Sequence, residues 1–359
     1  MPRLRFLAMG TGRRGRFKRL LKIVVAVVTF CLFLFCVAFP ILVHYSPALQ
    51  RYLVFRHTSL AGFLFFSMAE DLSKPEDYNL KGTRNFYLQS EDDVSVGVWH
   101  ILPESLMFLA PDVESEERIK WFENSLTKGK PIFLYLHGNR LSRSAYYRVE
   151  LYRLLRSMDF HVVTLDYRGF GDSTKVDPTE EGVLSDVKAV FTYLKAKAGQ
   201  TPILVYGHSL GTGIACHAVA DLCQVGSCPK GLLLQSPFNN LFSEIKVHSF
   251  GKMLAFLPYY DWSILKPLRE SGIMFENEKH IGNIPIPVWI LHAQDDGVVP
   301  ISLGMELYSA AMRSRPKMAA EVRFFDFEEQ HGYGHNYIHK SGNLPMIIRE
   351  FVKISKYAK

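Results

Sequence analysis

Residues 207–211, Gly-His-Ser-Leu-Gly, constrain the fold of this chain more than any other segment. They follow a short apolar run at residues 203–206 and precede a helical pattern that is rich in small side chains. Glycines on both sides of Ser209 allow a sharp turn without a Cβ clash, and the N-terminus of the following helix favours a developing negative charge. A strand, a tight turn and a helix in this order predict that Ser209 is an exposed nucleophile at the end of a parallel strand.

Apolar runs alternate with helical patterns from residue 84 onward. Two alternating segments flank a polar turn and predict an antiparallel hairpin at residues 84–89 and 94–102. The later runs are continuously apolar, as expected of strands buried on both faces, and they lie at residues 131–136, 162–165, 203–206, 231–234, 288–291 and 321–327. Amphipathic patterns that predict helices lie at residues 149–158, 180–197, 213–223, 303–312 and 344–354. The chain is therefore predicted to form a mostly parallel eight-stranded sheet flanked by helices.

The positive charge of the chain is concentrated at its N-terminus. Eight of the 42 lysines and arginines lie before residue 23, and no acidic residue precedes Glu70. The remaining 34 basic residues are balanced by 35 acidic residues, so the body of the protein carries a net charge of −1. A nucleic-acid partner would need a basic surface on the folded body, so we expect none.

Residues 23–43 form a run of 21 residues without charge, with Thr29 as the only polar side chain. This run is long enough to cross the hydrocarbon core of a bilayer. A cleaved signal peptide is one alternative, but its apolar stretch is typically about 7 to 15 residues and ends at small residues. A buried helix is another alternative. A retained anchor is the favoured interpretation, and it would leave the basic N-terminus in the cytosol and the body on the opposite side.

The anchor defines four predicted segments: a basic tail at 1–22, the anchor at 23–43, a membrane-proximal linker at 44–83 and a catalytic domain at 84–359. The linker contains a second apolar patch at residues 60–66, which is too short to span a bilayer. The patch is either an interfacial segment that presses the body onto lipid or a helix packed on the domain.

The alternation of apolar strand runs with helical patterns stops between residues 236 and 282, where the chain is rich in Phe, Pro, Tyr and Trp. We interpret this segment as a lid inserted after a strand. Ligands of open α/β sheets bind beyond the carboxyl ends of the strands, so an aromatic insertion there would enclose an apolar pocket. The alternative is a structural excursion that contacts no substrate.

A serine nucleophile needs a base and a carboxylate that orients the base. In this type of fold the acid follows the serine along the chain and the histidine comes last. The predicted strand that begins at residue 288 leads into Asp295 and Asp296, and the spacing Asp296-x-x-Val-Pro matches the acid loop of the fold. Asp296 is therefore the favoured acid, and Asp295 is interpreted as a solvated or turn-capping neighbour.

Three histidines follow the last predicted strand, at positions 331, 335 and 339. His335 is the favoured base and His331 the second candidate, whereas His339 lies too close to the closing helix. Their four-residue spacing could suggest metal ligands on a helix, but Gly332 and Gly334 disfavour a helix there. We expect neither a metal nor a cofactor.

The negative oxygen formed during acyl transfer needs hydrogen-bond donors. One expected donor is the backbone N–H of Leu210, which follows the nucleophile. The other should lie after the strand at residues 131–136, where the Asn139 N–H is favoured and Arg140 is an alternative. His137 is interpreted as a residue that stabilises the turn.

One competing motif is His161-x4-Asp166, a spacing found in some acyltransferases. The two side chains lie along a predicted buried strand at an odd separation, which would place them on opposite faces. We therefore expect Asp166 to belong to the loop that supports the site.

Cys223 and Cys228 could form a disulfide in an oxidising compartment, or both could remain buried thiols.

Five runs of the chain resemble the membrane-anchored α/β-hydrolase-domain lipases. They are Leu-His-Gly-Asn at 136–139, Asp-Tyr-Arg-Gly-Phe-Gly-Asp-Ser at 166–173, Gly-His-Ser-Leu-Gly-Thr-Gly at 207–213, Ser-Pro-Phe at 236–238 and Leu-His-Ala-Gln-Asp-Asp-x-Val-Val-Pro at 291–300. The resemblance implies the α/β-hydrolase fold, a triad of Ser209, Asp296 and His335, and hydrolysis of lysophosphatidylserine and monoacylglycerol esters. It also implies an endoplasmic-reticulum membrane with a luminal active site. Arg-Leu-Ser at 140–142 departs from the small, Gly-containing stretch of the family.

The predicted function is therefore a membrane-bound serine hydrolase that cleaves the acyl ester of single-chain lipids through an acyl-enzyme on Ser209. An acyl-thioesterase or an acyltransferase could use the same triad, and a membrane scaffold without activity is the non-enzyme alternative. A lipid substrate and the membrane are the expected partners, with no obligate protein partner.

Overall fold

The computed structural model of the protein describes residues 10–57, 71–111 and 115–357. In this part of the chain one sheet has the strand order β1-β2-β4-β3-β5-β6-β7-β8. The strands are β1 Thr83–Glu91, β2 Val94–Ile101, β3 Ile132–Leu136, β4 His161–Leu165, β5 Ile203–His208, β6 Gly231–Gln235, β7 Val288–Ala293 and β8 Val322–Phe327. β2 is antiparallel to β1 and β4, and all other neighbours are parallel. The predicted mostly parallel, eight-stranded sheet is confirmed.

Helices of the catalytic body connect the strands and cover both faces of the sheet. The longer ones are Glu116–Ser125, Tyr146–Ser157, Glu180–Lys197, Leu210–Gln224, Ile301–Ser314 and Leu344–Tyr357. The lid contains the short helices Leu241–Val247, Ser249–Leu254 and Lys266–Glu270 and the π-helical turn Asp261–Leu265. Shorter helical segments lie at Glu104–Met107, Asn277–His280, Pro75–Tyr78, Ile281–Asn283, Glu329–His331 and Ile338–Lys340.

The central strands are buried on both faces, which explains their continuous apolar sequences. In β5, Val205 packs into the core on one face of the sheet, whereas Leu204 and Tyr206 pack into the core on the other. Side chains alternate along a strand, so a strand covered on both sides needs apolar residues at every position.

The N-terminal apolar segment forms one long helical stretch. Helix Gly10–Phe33 continues through a π-helical turn at Leu34–Ala38 into helix Phe39–Tyr45. The stretch Gly15–Tyr45 is long and apolar enough to span a bilayer, and its most apolar window is not buried within the protein. At about 1.5 Å per residue, it is longer than a hydrocarbon core of about 30 Å. The predicted anchor at residues 23–43 lies within this helix, which fits a single-pass membrane protein.

A short helix, Pro47–Phe55, follows the N-terminal apolar helix, in the region assigned above to the membrane-proximal linker. The Ser46 Oγ accepts a hydrogen bond from the Leu49 N–H, and Pro47 occupies the first helical position, where no backbone donor is needed. Arg56 ends the helix in a left-handed conformation with φ of 47°. The apolar patch at residues 60–66 lies outside the described residues.

A disulfide joins Cys223, in the last turn of helix Leu210–Gln224, to Cys228. Of the two states left open by the sequence, the structure therefore has the bridged one. Cys216 is a buried free thiol.

A buried ionic network lies behind the carboxyl ends of β3 and β4. The Arg143 guanidinium donates hydrogen bonds of 2.5 Å to the Asp166 carboxylate and 2.6 Å to the Asp172 carboxylate. The side chains of Arg143 and Asp166 are both inaccessible to solvent. His161, by contrast, bonds to His100 at 3.0 Å, so the competing motif of His161 and Asp166 does not form a site.

Replacement of Asp166 by alanine should destabilise the fold by about 3 kcal/mol or more, because a buried cation would lose its main partner. The readout is the midpoint of thermal unfolding in detergent. Asp177→Ala is the control, because its ion pair with Arg51 is exposed and should contribute less than about 1 kcal/mol. Equal falls of the unfolding midpoint in the two variants would show that the buried network contributes no more to stability than an exposed ion pair.

Candidate active site

Ser209 lies in a strained turn between β5 and helix Leu210–Gln224. Its backbone has φ of 55° and ψ of −122°, a conformation that non-glycine residues rarely adopt. A Cβ on Gly207 would lie 2.6 Å from the Gly211 carbonyl oxygen, and a Cβ on Gly211 would overlap the Leu136 carbonyl. Both flanking glycines are thus needed for this turn, and Ser209 itself is 7% exposed.

A histidine and an aspartate from two different loops meet beside this turn. The Nδ1 of His335 lies 2.8 Å from Oδ2 of Asp296. The other carboxylate oxygen of Asp296 accepts hydrogen bonds of 2.9 Å from the N–H groups of Val298 and Val299. Burial alone would raise the pKa of Asp296, but hydrogen bonds from His292 and His335 hold that pKa below its usual range. Asp296 therefore remains an anion that can orient the His335 ring and stabilise its protonated form.

The competing residues occupy other positions. Asp295 accepts a hydrogen bond of 2.9 Å from the Gly334 N–H, so it fixes the loop that carries His335. His331 is exposed and stacks on Tyr333. His339 pairs with Glu150 at 3.0 Å. Of these residues, the structure brings together only His335 and Asp296.

Ser209 and His335 line the same cavity. A hydrogen bond holds the His335 backbone, because its carbonyl oxygen lies 3.0 Å from Nε2 of His208. Within the described residues, no hydrogen bond joins the Ser209 hydroxyl to the His335 ring. Hydrogen bonds between a nucleophile and its base are often long or poorly aligned without substrate, so this geometry does not exclude the pair.

The loop after β3 lies directly against the serine. A Cβ on Gly138 would be 3.0 Å from the Ser209 Cβ, so only glycine fits there without displacing the serine. The Arg140 N–H donates to the Phe55 carbonyl at 3.2 Å and is not available to a substrate. The Asn139 N–H makes no hydrogen bond within the described part of the chain, and Asn139 and Leu210 both line the cavity. This arrangement favours Asn139 over Arg140 as the second donor.

A buried arginine that sequence reasoning missed holds this loop. The Arg148 guanidinium donates hydrogen bonds to three backbone carbonyl oxygens: that of Ser142 at 2.5 Å, that of Gly138 at 3.2 Å and that of Arg140 at 2.9 Å. An arginine within an amphipathic helical pattern resembles an exposed residue, so the sequence contained no signal for this role. The turn is also fixed by the Tyr167 hydroxyl, which donates to the His137 carbonyl at 3.0 Å.

The cavity has a volume of about 460 Å³ and is mainly apolar. Its apolar walls come from the N-terminal apolar helix, helix Pro47–Phe55, the lid and the acid loop. They include Val43, Leu53, Val54, Phe238, Leu241, Ile245, Ile264, Leu268, Val298 and Val299. Residues of the segment interpreted above as a lid therefore contribute to the wall of the cavity that contains Ser209.

Charged residues also line the cavity. Arg56 and Arg140 face it, as do Glu244 and His248 of the lid. Burial raises the pKa of Glu244 to about 7, so this carboxyl carries only part of a negative charge at neutral pH. Burial, together with Arg56 and His335, lowers the pKa of His248. At neutral pH the positive charge of the two arginines therefore dominates the cavity.

Glu180, His217 and His280 form the one described group that could hold a metal ion, with potential ligand atoms within 4.8 Å of one another. The two imidazole rings are stacked with centroids 3.8 Å apart, so their lone pairs run side by side and do not converge. Glu180 also accepts hydrogen bonds from the N–H groups of Met274 and Phe275. We infer that this group attaches the end of the lid segment to the body of the protein.

Comparison with known proteins agrees with the fold. The model of the alpha/beta hydrolase fold family matches residues 131–246. The chain is 42% identical over 322 residues to the lysophosphatidylserine lipase ABHD12 of Rattus norvegicus. The aligned region covers 90% of this chain and 78% of that protein. It is 36% identical to protein ABHD12B of Homo sapiens, over 79% of this chain and 75% of that protein.

Two solved structures share the fold. The esterase Pf2001 of Pyrococcus furiosus has a TM-score of 0.55 at 19% identity, covering 80% of this chain and 94% of that chain. An alpha-beta hydrolase of Vibrio vulnificus has a TM-score of 0.58 at 17% identity, covering 87% of this chain and 94% of that chain.

The sheet order, the strained serine turn and these relatives define the chain as a serine ester hydrolase of the α/β-hydrolase fold. Within that fold, the chain belongs to the ABHD12 family.

The two adjacent aspartates provide a matched test of the site. Asp296→Asn should lower kcat for a soluble ester such as p-nitrophenyl butyrate by about 10⁴-fold, because the amide orients the wrong histidine tautomer. Asp295→Asn keeps an oxygen that can accept from the Gly334 N–H and should cost less than about tenfold. A larger loss in Asp295→Asn than in Asp296→Asn would exclude Asp296 as the orienting acid.

Proposed function

We propose that the protein is a membrane-bound serine hydrolase that cleaves the acyl ester of single-chain lipids, with lysophosphatidylserine and monoacylglycerol as substrates. One observation carries this proposal: the strained Ser209 and the His335–Asp296 pair face a largely apolar cavity enclosed by the lid. Relatives named lysophosphatidylserine lipase support the lipid class.

In the proposed reaction, His335 Nε2 takes the proton of the Ser209 hydroxyl as its oxygen attacks the ester carbonyl. The negative oxygen that forms accepts hydrogen bonds from the N–H groups of Leu210 and Asn139. His335 then gives its proton to the departing alcohol, which leaves an acyl group on Ser209. Water, activated by the same histidine, releases the fatty acid and restores the serine. Asp296 orients the imidazole throughout, and no cofactor or metal takes part in these steps.

The head group of a lysophosphatidylserine would meet the two arginines that line the cavity. Arg56 and Arg140 can form charge-assisted hydrogen bonds with a phosphate or carboxylate. The raised pKa of Glu244 reduces repulsion of an anionic head group.

The proposed location is the endoplasmic-reticulum membrane, with the basic tail at residues 1–22 in the cytosol, the span at 23–43, the linker at 44–83 and the catalytic domain at 84–359 in the lumen. Eight basic residues before the span favour this orientation. The Cys223–Cys228 bridge supports it, because disulfides persist in oxidising compartments. Digestion of the catalytic domain by protease in sealed microsomes, without detergent, would contradict it.

Ser209→Ala should abolish labelling by a fluorophosphonate probe and lower hydrolysis of lysophosphatidylserine by about 10⁴-fold or more, because the acyl acceptor is lost. Ser236→Ala is the matched control, since Ser236 also has a positive φ at the end of a parallel strand and does not line the cavity. Fatty acid release measured by mass spectrometry gives the activity. Undiminished labelling in Ser209→Ala would rule out this nucleophile.

The cavity arginine should affect charged and uncharged substrates differently. Arg56→Gln is expected to lower the ratio of kcat/KM for lysophosphatidylserine to that for monoacylglycerol by about tenfold, since a charge-assisted hydrogen bond contributes about 1.5 to 3 kcal/mol. Arg51→Gln, from the same short helix, is the control, because Arg51 pairs with Asp177 and does not line the cavity. A ratio equal to that of the wild type in Arg56→Gln would mean that Arg56 does not contact the head group.

A further inference from the structure

The cavity that contains Ser209 extends to the end of the membrane helix. Val43, in the last turn of that helix, lines it together with Leu53 and Val54 of helix Pro47–Phe55. Val43 is completely buried, whereas the adjacent Leu42 is 58% exposed. One face of the last helical turn therefore belongs to the cavity, and a neighbouring face remains free to contact lipid.

The lid is attached to this same helical turn. Val43 forms a buried cluster with lid residues Leu254, Leu257, Tyr260, Ile264 and Leu265. The His44 ring stacks on Trp262 with centroids 3.9 Å apart, and its Nδ1 lies 2.9 Å from the Trp262 carbonyl oxygen. The Tyr259 hydroxyl donates to the Cys36 carbonyl oxygen. The end of the membrane helix and the lid therefore pack as one unit.

The lid side of the cavity is mainly aliphatic. Leu241 and Ile245 of the first lid helix, with Ile264 and Leu268 further along the lid, line the same cavity. Burial of a hydrocarbon chain is favourable in proportion to the apolar area removed from water. These walls therefore fit an acyl chain better than a polar head group.

We propose that the last turn of the membrane helix is one wall of the acyl-chain binding site, with the chain lying in the cavity against Val43 and the lid residues that line it while its ester is at Ser209. The proposal rests on the lipid-hydrolase function above and assigns a further role to the membrane helix, which selects the acyl chain as well as anchoring the enzyme. A lipid in the adjoining leaflet could then enter the cavity along apolar surfaces.

The test uses the full-length protein in detergent, with monoacylglycerols and p-nitrophenyl esters of four to eighteen carbons. Val43→Trp should lower the ratio of kcat/KM for the eighteen-carbon chain to that for the four-carbon chain by about tenfold, because the larger ring occupies space that a long chain needs. Val43→Ala should raise this ratio, since the cavity becomes longer.

Leu42→Trp is the matched control, because it adds the same ring to the exposed face of the same turn and should leave the ratio unchanged. An equal fall of the ratio in Leu42→Trp and Val43→Trp would overturn the proposal. If Val43→Trp does not fold, as shown by lost fluorophosphonate labelling, an unchanged ratio in Val43→Ala would overturn it. A wild type that is labelled and cleaves the four-carbon ester but no long-chain lipid contradicts the lipid-hydrolase function itself.

Discussion

The close approach of Gly211 to the Leu136 carbonyl is the contact on which the rest of the site depends. No side chain fits between them, so the helix that begins at Leu210 lies directly against the end of β3. This contact fixes the turn at Ser209 in a backbone conformation that costs about 1 to 3 kcal/mol elsewhere in proteins. The same packing brings Gly138 against Ser209 and places the loop after β3 beside the serine. Strain in one residue is thus maintained by the close packing of two elements in the middle of the sheet.

That loop is held from two sides. From within the protein, the Arg148 guanidinium donates hydrogen bonds to three carbonyl groups of the loop. From the other side, the Phe55 carbonyl accepts a hydrogen bond from the Arg140 N–H. A buried guanidinium without a carboxylate partner is costly unless its donors are satisfied, and here backbone oxygens satisfy most of them. Because Phe55 is the last residue of the helix that follows the N-terminal apolar helix, this short helix is a structural part of the site.

Much of the fold could be predicted because its strands are buried on both faces and therefore continuously apolar. The helix predicted at 180–197 has those bounds in the structure, and other predicted elements differ by a few residues at their ends. Helix Pro47–Phe55 was missed, because nine residues give little periodic signal and its contacts are with distant segments. Arg148 was missed for a related reason, since its partners depend on the path of a loop and not on local sequence.

The sequence by itself determined the class of fold, the N-terminal apolar helix and the turn at Ser209, because these follow from local periodicity, hydropathy and the two glycines. It limited the acid to two neighbouring aspartates and the base to three histidines. Only the tertiary structure placed Asp296 against His335, directed Asp295 to the Gly334 N–H and joined the end of the N-terminal apolar helix to the lid. The physical reason is range: dihedral preferences and hydrophobic patterns act over a few residues, whereas these contacts join side chains and backbone groups tens to hundreds of residues apart.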